Sequence, residues 1–526
     1  MESLPVELLL AIVETVACPI TSFTSPSASS ASRDLAALCG TSHRLHRIVT
    51  PFLYNSIECS VEEESHQLGK LCKTLQEAPG LRRHVKSIRY KPAPKIKLSP
   101  EQSKGRDSEQ SKSCEDHEAQ ASTSMQRVAE ALQLPQSDTF HWQMVEGNDI
   151  PLTLVVLQSP QLEDLRVSYA HVVRVARMKE PYLLEALVRT ALKRPLGTTQ
   201  DFQNLRVLHL DFGRYCYWPI TTAVALTYLP CLDELTLGKW NSRSSNDFSI
   251  DNEEDNYVLG HKMVLPEREC SPTKLALFHP AASPVMIAKL INACKTLTSF
   301  ECASPIPKYE WFVEIAAALK KHSDTLERLS LGDKVLRFAD NRGLSGFRPC
   351  KGLHRLSWIR LPLACDPPEI GYASSVGNLP TSVKFLFLDV HKSEEQGLED
   401  YFSYFVDACL RGDFPRLGTV RLRFKYSTFN HLPIDFPKYT PLLDEVGIRL
   451  EALLWSDDVR EDPEKGPSLP KVDRIKQLFP GHYDHWIRIE NREDRGVGIE
   501  MPHIDAATVE HVGTRIELEE DYLRGY

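Results

Sequence analysis

The two histidine pairs of this chain have the spacing that comes closest to metal chemistry. His43 and His46 are three residues apart, and His482 and His485 repeat that spacing. Two imidazoles on one helical face can bind zinc, but a tetrahedral site needs further ligands, and no cysteine or acidic residue completes either set at a matching distance. We therefore expect surface histidines, with no metal and no other cofactor.

The cysteines and the nucleophilic side chains form no recognisable catalytic group. Thirteen cysteines are scattered from Cys18 to Cys409 without a C-x-x-C pair, which is typical of free thiols in a reducing compartment. The chain has no P-loop, G-x-G-x-x-G, G-x-S-x-G or H-E-x-x-H motif. No nucleophile stands out together with a base. The sequence favours a binding protein without catalytic residues over an enzyme.

Charge and hydrophobicity exclude other broad classes. The net charge is -9, whereas a general nucleic-acid binder is expected to show a basic patch, so we expect no nucleic-acid partner. The apolar stretch 6–18 contains Glu7 and Glu14 and is too short to span a membrane or to act as a signal peptide. We expect no membrane association and a cytoplasmic or nuclear location.

A repeated L-x-x-L-x-L pattern, with aliphatic substitutions, dominates the chain from residue 152 onward. From Leu205, successive copies start 25 to 34 residues apart, except for one interval of 40 that holds an acidic insertion at 241–256. Helical patterns often lie between the copies. A strand and a helix in each repeat can bury their leucines only against neighbouring repeats, which predicts an α/β solenoid with a parallel curved sheet. The copies start at Leu162, Leu205, Leu232, Leu297, Leu326, Leu353, Val383 and Leu417, with a weaker copy at Pro272.

The first 57 residues follow a different pattern, that of three short amphipathic helices. Pro5 suits a first helical turn, and Leu8, Ile12 and Val16 follow at helical spacing. Ser42 can cap a third helix. About 50 residues cannot hide this much apolar surface alone, so we expect a partner to cover part of it.

Composition divides the remainder. Residues 92–124 are rich in Ser, Glu, Gln and Lys and cannot bury enough surface to offset their ordering entropy. Residues 457–470 form a charged, proline-rich linker. We predict an N-terminal helical unit at 1–60, a first repeat-like helix–strand unit at 61–91, a disordered polar insertion at 92–137, the solenoid at 138–450, and a C-terminal cap or tail at 451–526.

The N-terminal motifs, taken in order, resemble an F-box of the kind common in filamentous fungi. They are LP-x-EL from Leu4, DL-x-x-L from Asp34, S-x-x-L-x-x-I from Ser42 and P-x-LY from Pro51. With the repeats behind them, the chain is similar to F-box/leucine-rich-repeat proteins, the substrate receptors of Skp–cullin–F-box ubiquitin ligases. The resemblance covers residues 4–57 by motif and about 150–450 by pattern.

This resemblance implies two partner surfaces and no catalytic residue. The F-box would dock on a Skp-type adaptor, and through it on a cullin, while the repeats bind the target protein. Gly40 and Thr41 depart from the larger aliphatics usual in the family and would weaken the packing of the second helix on the third. The residues that would face or support the Skp surface are Leu4, Pro5, Leu8, Ile12, Leu35, Leu38, Leu45, Ile48 and Val49.

Target-binding residues are expected between the repeat leucines, pointing out from the strands. Phe387 and the nearby Trp240 are candidate anchors, because exposed aromatic residues often dominate binding energy, although packing under loops would explain them equally well. The alternative function is a repeat scaffold that binds a partner without assembling a ligase. The candidate residues are His209, Thr236, Trp240, Glu301, Ser330, Ser357, Phe387 and Arg421.

Overall fold

The computed structural model of the chain describes the segments that build the helices and strands below. These are residues 4–17, 28–60, 64–91, 125–134, 149–168, 182–194, 201–211, 220–238, 257–258, 261–262, 269–278, 284–303, 309–331, 351–363, 376–377, 379–390, 395–425, 434, 436–456, 487–491, 497–499 and 516–517.

Three helices form the N-terminal unit: α1 (Val6–Ala17), α2 (Ala28–Cys39) and α3 (His43–Asn55). The side chain of Ser42 caps α3 by accepting a hydrogen bond from the backbone N–H of Leu45 at 3.2 Å. The helices enclose a hydrophobic cluster that is separate from the core of the following repeats. That cluster consists of Leu9, Val13, Leu35, Leu45 and Val49.

A single large sheet forms the body of the protein, and its strands are arranged in the order in which they occur along the chain. Strands β1–β5 and β8–β15 are parallel, whereas β16 and β17 add to the far edge antiparallel, and β6 and β7 pair separately. The strands are β1 (Ser56–Ser60), β2 (Ser87–Lys91), β3 (Asp164–Ser168), β4 (Val207–Asp211), β5 (Glu234–Gly238), β6 (Tyr257–Val258), β7 (His261–Lys262), β8 (Lys274–Phe278), β9 (Ser299–Ala303), β10 (Arg328–Leu331), β11 (Trp358–Leu363), β12 (Phe385–Val390), β13 (Thr419–Lys425), β14 (Arg449–Ser456), β15 (Ile487–Asn491), β16 (Val497–Ile499) and β17 (Ile516–Glu517).

Helices connect most of these strands and pack with the strand leucines in one continuous core. Parallel neighbours need such crossover connections, since a tight hairpin cannot join them. The alternation of strand and helix confirms the predicted α/β solenoid. The helices are α4 (Glu64–Glu77), α5 (Pro79–Arg82), α6 (Asp149–Leu157), α7 (Tyr182–Ala191), α8 (Ile220–Leu226), α9 (Pro284–Ala293), α10 (Tyr309–Lys320), α11 (Glu395–Leu410) and α12 (Phe436–Glu445), with a further short helix at 125–131.

The register of the sheet places the repeat leucines in rows on its inner face. Leu208 pairs with Leu165 on one side and with Leu235 on the other, and all three are buried. Because side chains alternate along a strand, the residues between them lie on the opposite face, which we call the open face.

One repeat lies three residues further along the chain than the sequence pattern predicted. The pattern was placed at Leu353, Leu356 and Trp358, but Ile359 pairs with the core residue Leu329, and Leu361 also lies in the core. The sequence permits both frames because both present apolar residues at the required spacing. The strand pairing of β10 with β11 shows that the structure adopts the later frame, with Leu356, Ile359 and Leu361 at the repeat positions.

The prediction of a disordered polar insertion up to residue 137 extends too far. The short helix at 125–131 buries Met125, Val128 and Ala129 in the repeat core, and Leu134 follows them. These aliphatic side chains provide the burial that the preceding polar stretch lacks. Residues 92–124 lie outside the described part of the chain.

The first strand of the sheet follows the N-terminal helices without a linker. Helix α3 ends at Asn55 and β1 begins at Ser56, within the segment predicted as the helical unit. The backbone N–H of Lys86 donates to the carbonyl oxygen of Asn55 at 3.0 Å, so the next strand segment holds this junction. At the other end, β14 continues to Ser456, past the boundary predicted at 450.

Several repeat helices end in a residue with left-handed backbone geometry. Gly412, with φ of +80°, follows α11, and the N–H of Asp413 donates to the carbonyl oxygen of Ala408 at 3.0 Å. Gly447 after α12 and the non-glycine residue Lys193 after α7 have the same geometry, with φ of +75° and +58°. This ending reverses the chain toward the next strand.

Candidate functional site

Two large apolar side chains of helix α1 are exposed to solvent in addition to Val6 at its start. Leu8 is 53% exposed and Ile12 is 40% exposed, although both belong to a three-helix unit with its own core. They are four residues apart and therefore lie one above the other on one face of the helix. We call these two residues the α1 patch.

The nine residues predicted to face or support a Skp surface divide into three groups by their position. Pro5, Leu8 and Ile12 are exposed and could contact a partner directly. Leu35, Leu45 and Val49 are buried between the helices and pack in the unit's own core. The half-buried residues at the edge of that core are Leu4, Leu38 and Ile48.

On the open face of the sheet, two carboxylates hold four arginines from neighbouring strands. The Nε of Arg360 on β11 donates to Asp389 Oδ2 on β12 at 2.9 Å, and Arg423 Nη1 on β13 lies 3.4 Å from Asp389 Oδ1. Arg421 Nε donates to Glu451 Oε2 at 2.6 Å, and Arg449 Nε lies 3.1 Å from Glu451 Oε1. Three of these pairs join neighbouring strands from β11 to β14, and the Arg449–Glu451 pair lies within β14.

Aromatic rings lie beside this charged network. The rings of Trp358 and Phe385 stack with centroids 6.0 Å apart and an interplanar angle of 6°. The guanidinium carbon of Arg328 lies 4.9 Å from the centroid of Trp358, and that of Arg421 lies 5.2 Å from the centroid of Phe385. Cations over aromatic faces are favourable contacts. We call Arg328, Arg360, Arg421, Arg423 and Arg449 the arginine ladder.

The residues predicted to bind a target are only partly brought together. His209, Thr236 and Ser330 lie on the open face but are buried, and Glu301 and Arg421 are half-buried there. Because these five residues lie on five different strands, they follow the open face from β4 to β13. They line a surface and do not converge on a pocket.

The remaining three predicted residues have different positions. Phe387 is only 7% exposed, and Arg360 lies over its ring at 4.8 Å, so it is not an exposed anchor. Ser357 precedes β11, where its carbonyl oxygen accepts from the N–H of Phe385 at 3.0 Å. Arg360 occupies the open-face position that the earlier repeat frame assigned to Ser357. Trp240 lies outside the described residues.

Histidine and cysteine are the residue types from which metal or thiol chemistry would come. No three His, Cys, Asp or Glu side chains among them form a group suited to a metal ion. His43 and His46 are exposed on α3, and the other predicted histidine pair lies outside these segments. Burial raises the pKa of Cys72 and of Cys294 to about 12, which keeps these thiols protonated and poorly nucleophilic.

None of the described helices has the length and apolar character needed to cross a membrane.

Comparison with known proteins finds a similarity among solved structures alone. No protein-family model and no curated protein matches it. Among solved structures, it is similar to the crystal structure of the leucine-rich-repeat-containing protein LegL7 from Legionella pneumophila. The match has 14% sequence identity and a TM-score of 0.33, and it covers 66% of this chain and 96% of that one.

Proposed function

We propose that this chain is the substrate-recognition subunit of a Skp–cullin–F-box ubiquitin ligase. The N-terminal helices dock on the Skp-type adaptor, and the open face of the sheet binds the target protein. The chain supplies no catalytic residue. It acts by proximity, because holding the target near a charged conjugating enzyme raises the effective concentration of its lysines.

The observation that carries this proposal is the α1 patch. A helix in a small unit with a closed core of its own would normally turn its large apolar residues inward. Here Leu9 and Val13 are turned inward, while Leu8 and Ile12 remain in solvent. Covering them with a partner would remove this apolar surface from water, which favours association. The order of the N-terminal motifs supports a Skp-type adaptor as that partner.

The test is co-purification of the full-length chain with a Skp-type adaptor. We expect the wild-type chain to retain the adaptor and the Leu8→Glu/Ile12→Glu double variant to lose it, because two charges would be desolvated at the interface. The matched control is Tyr404→Glu/Leu410→Glu on α11, where the original side chains are 48% and 40% exposed. This control should retain the adaptor. Adaptor binding that survives the α1 substitutions would contradict the proposed interface.

The second candidate function is a repeat scaffold that binds its target without a ligase. The separate cores of the helical unit and of the sheet support it, since the sheet can present its open face whatever α1 contacts. The two functions differ in one measurement. A wild-type chain that captures its target from a lysate but never retains a Skp-type adaptor or a cullin is a scaffold.

A further inference from the structure

The two halves of the open face differ in charge. Among the described side chains, strands β1–β9 present three basic residues, Arg89, Arg166 and Lys274, against five acidic ones, Glu58, Asp164, Asp211, Glu234 and Glu301. Strands β10–β14 present the five arginines of the arginine ladder against two carboxylates, Asp389 and Glu451. The excess of positive charge is therefore local, in a chain whose net charge is -9.

One row of side chains crosses this cationic half from edge to edge. The strand register aligns Arg328, Trp358, Phe385, Thr419 and Arg449 on β10 to β14. The two arginines at the ends of the row are exposed, and the stacked rings between them are half-buried. We call this set the cross-strand row.

The dimensions of the row fit a short extended peptide. Its ends are four strand steps apart, and strands are spaced about 4.8 Å apart, so the row is roughly 19 Å long. An extended chain advances about 3.3 Å per residue, so about six residues span this distance. Carboxylates at the two ends of such a peptide could pair with the terminal arginines, and an apolar side chain between them could pack on the rings.

The end arginines have the chemistry to attract these carboxylates. A guanidinium has five N–H donors in a planar fork that matches a carboxylate. Glu451 pairs with the Nε of Arg449, but the Arg449 side chain stays 57% exposed. The described contact of Arg328 is with the ring of Trp358, whose centroid lies 4.9 Å from the guanidinium carbon.

We propose that the cross-strand row binds an extended acidic segment of the target protein, with a carboxylate about six residues from a second one and an apolar or aromatic residue between them. This inference rests on the proposed function, because the segment belongs to the protein that the chain presents to the ligase. The carboxylates pair with Arg328 and Arg449, and an apolar residue two positions inside either end, which shares their face of the extended segment, packs against Trp358 and Phe385. Selectivity comes from the spacing of the two charges.

The test is fluorescence anisotropy with full-length chain and a labelled seven-residue peptide that has Glu at both ends and Phe at its third and fifth positions, which lie on the same face of an extended chain as the two Glu side chains. A second peptide replaces both Glu residues with Gln. We expect the Glu peptide to bind at least about tenfold more tightly, with an affinity that falls as salt is added. Arg328→Gln and Arg449→Gln should each weaken the Glu peptide by about fivefold, the scale of an exposed charge pair, and leave the Gln peptide unaffected.

The matched control is Lys274→Gln, which removes an exposed cation from the other half of the open face and should leave peptide affinity unchanged. Equal affinity for the two peptides, or an equal loss in the Lys274 variant, would overturn the inference. So would a labelled single-stranded oligonucleotide that binds more tightly than the Glu peptide and is displaced by it. Adaptor co-purification should be unchanged in the Arg328 and Arg449 variants, so a failure here is distinguishable from a failure of the proposed function.

Discussion

Arg360 on β11 and Asp389 on β12 form a cross-strand ion pair on the open face, with 2.9 Å between Nε and Oδ2. The carboxylate is 3% exposed and also receives Arg423 from β13, so one acidic side chain ties three strands together. Most cross-strand pairs are worth a fraction of a kcal/mol, but a buried carboxylate shared by two arginines is costly to remove.

We therefore expect Asp389→Ala to lower the free energy of unfolding by about 2–4 kcal/mol, because it leaves two half-buried guanidinium groups without their shared acceptor. Urea denaturation measures this loss. The control is Asp413→Ala, which breaks the pair with Arg411 at the same 2.9 Å but at an exposed site, and which should cost at most about 1 kcal/mol. Similar losses in both variants would contradict a special role for Asp389.

The frame of the repeat at β11 gives a second prediction. Ile359 is in the core, and the neighbouring Trp358 is half-buried on the open face. Ile359→Ala should lower the free energy of unfolding by about 2–4 kcal/mol through lost burial and a residual cavity. Ile359→Asn should lower the free energy of unfolding further than Ile359→Ala does, whereas Trp358→Asn should lower it less than Ile359→Asn. The reverse order in thermal unfolding would restore the frame in which Trp358 lies in the core.

The error at this repeat shows what a periodic pattern can and cannot specify. Leucine spacing predicted nine repeat strands, because each repeat must bury the same apolar positions. It could not choose between frames at 353–361, where apolar residues satisfy both. The leucine pattern does not reach β14, because Gly447 stands three residues before the core residue Leu450, where most other repeats have an aliphatic residue.

Glycine at the end of α11 provides a third prediction. At φ of +80° a Cβ is strained, even though no atom within 4 Å would obstruct it at Gly412. Gly412→Ala should lower the free energy of unfolding by about 1 kcal/mol. The control is Gly352→Ala, another site with open space but without positive φ, which should be neutral or slightly stabilising. A neutral effect at both positions would argue against the left-handed ending.

The buried thiols lead to a fourth prediction. Cys72 is buried and its pKa is raised from 9.0 to about 12, whereas Cys231 is exposed. At pH 8.5 a maleimide should modify Cys231 within minutes and reach Cys72 only after denaturation, which peptide-resolved mass spectrometry can follow. Early modification of Cys72 in the folded chain would contradict its placement in the core.

The same pKa shift predicts how this thiol affects stability at high pH. Because the pKa is raised on folding, the unfolded chain loses the proton first as the pH rises. The contribution of Cys72 is complete below pH 9 and is lost progressively between about pH 9 and 12. Cys72→Ala should reduce the fall in unfolding free energy over that range, measured by urea denaturation at several pH values.

The candidate surfaces were less predictable than the strands. Helical spacing placed Leu8 and Leu45 alike on apolar stripes, but only packing decides that Leu8 faces solvent while Leu45 is enclosed. On the open face, Arg421 was named from its position in the repeat, whereas Arg360 was missed with its frame. The cross-strand row joins residues on five strands, and neighbours in such a row are about 30 residues apart in the sequence, so no local motif could reveal it.

The direct connection of α3 to β1 relates the position of the N-terminal helices to that of each strand of the sheet. Because α3 ends at Asn55 and β1 begins at Ser56, a partner bound to the first helices would be held at a fixed distance from the sheet. Strands β10 to β14, which carry the cross-strand row, lie seven to eleven strand steps from β1, which corresponds to roughly 35–55 Å along the sheet. Adding or removing a whole repeat would therefore shift a surface on the later strands by about 5 Å relative to the first helices and would rotate it slightly.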